Sequence, residues 1–141
     1  MKEGFILGAT APVRNAFGTS EKSFQLLKDA GLKLLRVSIT YPFVDPGMEK
    51  LNEEYVKDME FVQMFLDRGF EVMAWPQIPG SSRASEDGTV RYVRTYPDWM
   101  GPLDEDYYFE CLQKGWEFVA EKLADKVEFW QIGRASCRER V

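Results

Sequence analysis

Residues 28–41 read Lys-Asp-Ala-Gly-Leu-Lys-Leu-Leu-Arg-Val-Ser-Ile-Thr-Tyr, and the rest of the chain repeats and extends this pattern. A helix is predicted to end at Ala30, where Gly31 can adopt the left-handed conformation that other residues resist. The run of Leu and Val that follows is typical of a strand buried on both faces of a parallel sheet. Arg36 interrupts this run, and a buried guanidinium is costly unless an anionic group faces it. The stretch therefore predicts a buried strand with a candidate site near its carboxyl end.

The helix–glycine–strand joint of residues 29–36 recurs along the chain. Residues 67–74 repeat it as Asp-Arg-Gly-Phe-Glu-Val-Met-Ala, and residues 123–130 repeat it less closely. With the apolar opening run, these joints predict four strands, at residues 5–11, 32–40, 70–75 and 127–131. Helices with apolar stripes lie between the strands. The alternation predicts an α/β fold in which the strands pair in parallel through helical crossovers.

Capping and turn residues mark where the predicted helices begin and end. Thr19 or Ser20 is placed to cap the first helix, and Asn52 is placed to cap the second. Gly69 is placed to stop the second helix, as Gly31 stops the first.

Residues 76–102 differ in kind from the rest of the chain. The pair Asp87-Gly88 is a turn signal, and Tyr96 and Trp99 follow neither a helical nor a strand period. An irregular segment of this length in a compact domain is either functional or a sign of a missed element. We expect a long loop in which Tyr96 and Trp99 pack within the loop or over the site.

Composition excludes several classes of function. The 141 residues carry a formal net charge of −5, so we expect no nucleic-acid partner and no binding to anionic membranes. No apolar run could span a bilayer and the first ten residues do not resemble a secretory signal, so we expect a cytoplasmic location. The sequence has no histidine, which excludes Ser-His and Cys-His catalysis and His-ligated metal sites. Cys111 and Cys137 form no disulfide framework.

Residues 132–141, Ile-Gly-Arg-Ala-Ser-Cys-Arg-Glu-Arg-Val, do not continue the pattern. They follow a strand-like run without turn residues and bring a sudden excess of arginine. The segment matches an in-frame translation of a common sequencing adapter, so we interpret it as an artefactual tail on a truncated gene record. A genuine basic tail is the alternative. We therefore treat residues 1–131 as the natural domain.

Polar and aromatic side chains are predicted at the carboxyl ends of the four strands. In parallel sheets and barrels, ligands bind at these ends, where the strand-to-helix loops emerge. The candidate substrate-binding residues are Thr10, Tyr41, Trp75, Gln77 and Trp130, with Arg36 at the same end. Aromatic, hydroxyl, amide and guanidinium groups together suit a sugar, but they also fit an ordinary polar cleft, and core packing stays open for Trp75 and Trp130. No glycine-rich phosphate loop follows the first strand, which disfavours nucleotide binding.

The order and spacing of these pieces resemble the clan A glycoside hydrolases, (β/α)₈ enzymes that cleave glycosidic bonds with two glutamates. The matching pieces are residues 5–12, 26–41, 67–76 and 127–131. The resemblance implies that Arg36 corresponds to the family's strand-two arginine, which supports the nucleophilic glutamate of strand seven. It also implies an acid/base glutamate after strand four. The expected fold is thus a partial (β/α)₈ TIM barrel, strands one to four with three intervening helices, formed by residues 1–131 as the N-terminal half of a catalytic domain.

The chain departs from the family pattern at two places. Gln131 is followed by Ile-Gly-Arg instead of Asn-Glu, and Trp75 and Gln77 stand where many members have a histidine. The resemblance implies a fragment of an enzyme that cleaves O-glycosidic bonds through two carboxylates, with retention of configuration and no cofactor. This chain lacks both carboxylates and is expected to be inactive. A half barrel also leaves two open sheet edges, which favour self-association.

Two other classes of function remain open. Like the glycoside hydrolase, both imply an oligosaccharide, glycoside or other sugar as the partner. A non-catalytic sugar-binding barrel would use the same aromatic strand ends. Another barrel enzyme, such as a sugar isomerase or an aldolase, would need metal ligands or a Schiff-base lysine at a strand end. Neither is predicted at the four strand ends.

Overall fold

A computed structural model describes residues 4–11, 20–77, 80–84, 87–94, 97–102 and 105–131. The strands are β1 (Gly8–Thr10), β2 (Leu34–Ile39), β3 (Glu71–Pro76), β4 (Gly80–Ala84), β5 (Val90–Arg94) and β6 (Phe129–Trp130). The helices are α1 (Glu21–Asp29), α2 (Glu53–Asp67) and α3 (Asp106–Leu123), with a 3₁₀ turn at Asp98–Met100. None of these helices has the length and apolar character needed to cross a membrane. The predicted tail at 132–141, the alternative cap at Thr19, the packing of Tyr96 and the state of Cys137 lie outside the described residues.

Four strands form a parallel sheet in the order β1-β2-β3-β6. Thr10 is in register with Arg36, Arg36 with Met73, and Met73 with Phe129. β1 is shorter than predicted because Gly8 already faces Leu34, the first residue of β2. β6 is also shorter than predicted and pairs with β3 at Phe129 and Trp130. The predicted α/β class is confirmed, since four parallel strands with intervening helices form part of a (β/α)₈ barrel.

Glycines and capping side chains end and begin the helices as predicted. Gly31 and Gly69 follow α1 and α2 with φ angles of +81° and +80°, a conformation that a side chain disfavours. Ser20 and Asn52 cap α1 and α2, because the side chain of each accepts a hydrogen bond from a backbone N–H of the first turn. Each joint therefore turns the chain sharply from a helix into the following strand.

The helices cover one face of the parallel sheet. Alternate strand residues are buried on this face: Leu35, Val37 and Ile39 of β2 with Val72 and Ala74 of β3. They pack with buried side chains of all three helices, namely Phe24, Tyr55, Phe61, Val62, Phe65, Val119 and Leu123. The intervening residues of β2, including Arg36, are half-buried on the opposite face. The prediction that β2 is buried on both faces is therefore correct for the helix face only.

A carboxylate on α2 fixes the carboxyl end of β2. Asp58 accepts hydrogen bonds from the backbone N–H and from the hydroxyl of Thr40, at 2.9 and 2.7 Å. These bonds satisfy the first backbone N–H beyond β2 and hold the start of the next loop against the helix.

A second apolar cluster lies where the loop after β2 meets α3. Its buried members are Tyr41, Phe43, Met100, Tyr108 and Cys111. The Tyr41 hydroxyl donates a 2.6 Å hydrogen bond to the backbone carbonyl of Cys111. Trp99 packs against this cluster.

Residues 76–102 contain more regular structure than predicted. β4 and β5 pair as an antiparallel hairpin. Asp87 and Gly88 lie between the two strands, and Gly88 has a φ angle of +79°. The prediction of an irregular loop is wrong for this hairpin. The sequence gives little sign of β4, because Gly-Ser-Ser-Arg-Ala has too few apolar residues to show the alternation of a strand.

Candidate functional site

The face of the sheet opposite the helices carries a concavity of about 380 Å³. Its lining comes from β1, β2, β3 and the residue that follows β6, and consists of Gly8, Ala9, Thr10, Leu34, Arg36, Met73 and Gln131. The register explains this convergence, because Thr10, Arg36 and Met73 occupy one row across three neighbouring strands. Arg36 is the charged member of this lining and brings one positive charge to the concavity.

Two side chains hold the guanidinium of Arg36, one from β3 and one from the residue that follows β6. Its Nη1 donates a 2.9 Å hydrogen bond to Oε1 of Gln131. Its Cζ lies 4.4 Å from the centroid of the Trp75 ring, within the range of a cation–π interaction. Gln131 is itself positioned by its backbone N–H, which donates to the carbonyl of Ala74 at 2.9 Å. The side chain of Arg36 therefore reaches across β3 from β2 to the end of β6.

Among the described residues, the charge of Arg36 is not compensated by a carboxylate. Gln131 is a neutral partner, and Nε of Arg36 is buried without a hydrogen-bond partner. An unsatisfied buried donor costs about 1–3 kcal/mol, and more for a charged group. An anionic group placed here would be stabilised.

The structure brings two further predicted residues close to Arg36. Thr10 is exposed and lines the concavity. Trp75 follows Met73 by two positions on β3, so it shares the face of Arg36 and makes the cation–π contact with it. Gln77 lies just beyond β3 with an exposed side chain, and its backbone N–H donates to the carbonyl of Ile39 at 3.0 Å. Gln77 is therefore near this end of the sheet but is not part of the lining.

Two predicted substrate-binding residues point away from the concavity. Tyr41 is 2% exposed in the second cluster, and burial raises the pKa of its phenol. Trp130 is in register with Ala74, which belongs to the helix-covered face, and it packs against that core. Neither side chain faces Arg36, so we correct both assignments. A one-residue step along a strand reverses the face to which a side chain points, which is why Trp130 faces the core.

Sequence reasoning places Gln131 at the end of the fourth predicted strand but not among the substrate-binding residues, and the structure makes it the hydrogen-bond partner of Arg36. The signal that could have found it is alternation: Gln131 follows Phe129 by two positions, and Phe129 shares the row of Arg36. This signal depends on the register between β3 and β6, which the sequence does not state.

A second concavity, of about 300 Å³, lies at the amino ends of β3 and β6. It includes the acidic residues Glu71, Asp125 and Glu128 together with Lys126. Among the described residues, no group of three or more acidic or cysteine side chains is placed to hold a metal ion. Because ligands of parallel barrels do not bind at the amino ends of the strands, we take the concavity around Arg36, on the open face of the sheet, as the candidate site.

Comparison with known proteins finds similarity in fold. No protein-family model and no curated protein matches the sequence. The solved structure of a family 39 glycoside hydrolase from the gut symbiont Bacteroides cellulosilyticus WH2 is similar, with a TM-score of 0.58 at 14% sequence identity. The similarity covers 90% of this chain, which spans 24% of the length of that protein. The two chains therefore share a fold over this region.

Proposed function

We propose that this chain is part of a glycoside hydrolase barrel that cleaves O-glycosidic bonds with two carboxylates and retention of configuration. The observation that carries the proposal is an uncompensated guanidinium, Arg36, on the open face of a sheet whose fold is similar to that of a glycoside hydrolase. In this proposal residues 1–131 form the N-terminal half of the catalytic domain, and residues 132–141 are foreign to it. Arg36 supports a carboxylate contributed by another part of the barrel.

The proposed sugar contacts are the groups that remain accessible at the carboxyl ends of the strands. The hydroxyl of Thr10 and the amide of Gln77 are exposed and can hydrogen-bond to sugar hydroxyls. Trp75 contributes an apolar ring beside them. Retaining glycosidases hold their two carboxyl groups about 5–5.5 Å apart. The lining around Arg36 contains no carboxyl group, so we propose that the chain as given does not catalyse hydrolysis.

We expect the purified chain to release no nitrophenol from a panel of 4-nitrophenyl glycosides above a buffer blank, because neither the acid/base nor the nucleophile is present. The matched control is Arg36→Met, which should give the same blank. Turnover that is present in the unsubstituted chain and lost in Arg36→Met would show that the chain is active after all.

Expression of the uninterrupted gene tests the proposal that the longer protein is a glycoside hydrolase. We expect it to continue after the fourth barrel strand with Asn-Glu, and its product to hydrolyse a glycoside. Replacing that glutamate with glutamine should then remove most of the activity, since general acid–base catalysis contributes about 10²–10⁴-fold. A continuation without a carboxylate would contradict a glycosidase.

A non-catalytic sugar-binding barrel is the second candidate, and the carboxylate-free lining around Arg36 favours it. Calorimetry separates the two: a binding barrel takes up an oligosaccharide without cleaving it, even when the uninterrupted gene is expressed. An isomerase or aldolase would need a metal site or a reactive lysine, and the described strand ends carry neither.

We also propose that the chain associates with itself through the edges of the sheet. Within the described residues, β1 pairs with β2 alone and β6 with β3 alone. Unpaired strand edges promote pairing with another chain. Light scattering over rising concentration should give a mass above that of one 16.3 kDa chain.

A charged residue beside β1 should reduce this association. Ile6, next to β1, is 41% exposed, and Val56 on α2 is exposed to a similar extent. Ile6→Lys should lower the apparent mass, whereas Val56→Lys should leave it unchanged. A constant mass of one chain at every concentration would count against association.

A further inference from the structure

The guanidinium of Arg36 is fixed by contacts of two different kinds. The contact with Trp75 is a cation–π interaction in which Cζ of Arg36 lies 4.4 Å from the centroid of the indole ring. The hydrogen bond to Gln131 uses one donor of Nη1. Trp75 therefore limits where the guanidinium can lie, and Gln131 accepts a hydrogen bond from one of its donors.

The surroundings of Arg36 favour one class of anion. None of the other lining residues is charged, and Leu34 and Met73 add apolar walls. One positive charge matches a monovalent anion, and the apolar walls suit a ligand with an aliphatic body. Phosphate carries more charge and more tightly bound water, so it fits this lining less well. Because Nε is buried, an incoming anion binds at the terminal nitrogens.

We propose that Trp75 is a positioning residue that holds Arg36 as a receptor for the carboxylate of a small aliphatic monocarboxylic acid. The ligand enters the concavity beside Arg36 and accepts hydrogen bonds from Nη1 and Nη2. Trp75 acts through Arg36, since its ring supports the guanidinium from one side. This binding involves no glycosidic bond, so it does not rest on the proposed hydrolase function.

The test is a titration of the full chain with sodium acetate, followed by ¹H–¹⁵N NMR at the Arg36 Nε–H and Trp75 indole signals. Sodium chloride and sodium phosphate at matched ionic strength are the comparison anions. Acetate should give a saturable shift at both signals, chloride should give none, and phosphate should bind more weakly than acetate. Arg36→Met should abolish the acetate response.

Trp75 variants separate positioning from a merely structural role. Trp75→Leu should weaken acetate binding about tenfold relative to the unsubstituted chain. Trp75→Phe keeps an aromatic ring and should weaken it only about threefold. The ring current of Trp75 should displace the Arg36 Nε–H signal upfield, and Trp75→Leu should remove this displacement. Trp99→Leu is the matched control: it removes an indole from the second cluster and should leave acetate affinity unchanged.

Each outcome bears on the proposal. Equal acetate affinity in Trp75→Leu and the unsubstituted chain overturns the role of Trp75, and phosphate binding more tightly than acetate overturns the monocarboxylate class. If Trp75→Leu fails to fold, Trp75→Phe decides: a loss of about threefold supports the proposal, and unchanged affinity overturns it. Hydrolysis is not measured here, so this proposal and the glycosidase proposal fail independently.

Discussion

Replacing Gly115 with alanine is expected to lower the free energy of unfolding by roughly 3 kcal/mol, at the upper end of the usual cost of overpacking. Gly115 lies inside α3 and is buried against the ring of Tyr41. A Cβ atom at this position would clash with Cε2 of Tyr41 and would lie 2.6 Å from its Cζ. The ring has no room to move, because Tyr41 is buried and its hydroxyl is bonded to the carbonyl of Cys111. This cost outweighs the gain of about 1 kcal/mol from the higher helix propensity of alanine.

Urea unfolding of the two proteins measures the difference. Lys114→Ala, at the exposed neighbouring position of the same helix, should change the free energy of unfolding by no more than about 0.5 kcal/mol. In a Tyr41→Leu background the ring is gone, so Gly115→Ala should become neutral or stabilise by up to about 1 kcal/mol. An equal loss in both backgrounds would show that Tyr41 is not the cause.

The helix ends and the α/β class could be predicted because short-range chemistry determines them. Gly31 and Gly69 need only their own φ angles to end a helix, and Asn52 needs only the next two residues to cap one. The parallel strands follow from the helical crossovers, since a strand that returns through a helix runs in the same direction. Arg36 could be singled out because a lone charge in an apolar run is expensive wherever the strand lies.

The register between strands could not be predicted from the repeat. Aligning the two glycine joints places Arg36 opposite Ala74, but the structure pairs Arg36 with Met73. This shift of one residue moves Ala74 into the core and places Trp75 on the face of Arg36. Trp130 is in register with Ala74, so its side chain lies on the same helix-covered face. Local sequence does not contain the information, because register depends on how two distant strands pack against the helices.

The position of Tyr41 depends on a contact that is distant in sequence. Its hydroxyl donates to a carbonyl 70 residues further along the chain. Its ring occupies the space that a side chain at position 115 would fill. A tyrosine after a strand is therefore compatible with a ligand site or with the core. Only the glycine on α3 decides between them.

Stability is expected to fall steeply above about pH 10, the ordinary pKa of tyrosine, and Tyr41→Phe should make this fall shallower. Burial raises the pKa of Tyr41, with nearby Cys111, Tyr107 and Tyr108 adding to the shift, and burial also raises the pKa of Tyr55. A raised pKa in the folded protein means that the contribution to stability is complete below pH 10. It is lost as the pH rises, because the unfolded chain ionises first. The loss approaches about 1.4 kcal/mol per pH unit for each of the two tyrosines.

Urea unfolding between pH 8 and pH 11 measures this slope in the unsubstituted chain, Tyr41→Phe and Tyr55→Phe. Groups that titrate in the same way in all three proteins contribute equally to the change in the free energy of unfolding with pH, so they cancel in the comparison. The slope of each variant should therefore be smaller than that of the unsubstituted chain by the contribution of one tyrosine. Tyr41→Phe should also cost about 1–3 kcal/mol at neutral pH, because the carbonyl of Cys111 loses its buried donor. Identical slopes in all three proteins would mean that these phenols ionise equally readily in the folded and unfolded chains. That result would contradict the burial of Tyr41 against α3, and with it the argument that Gly115 is required to accommodate the ring.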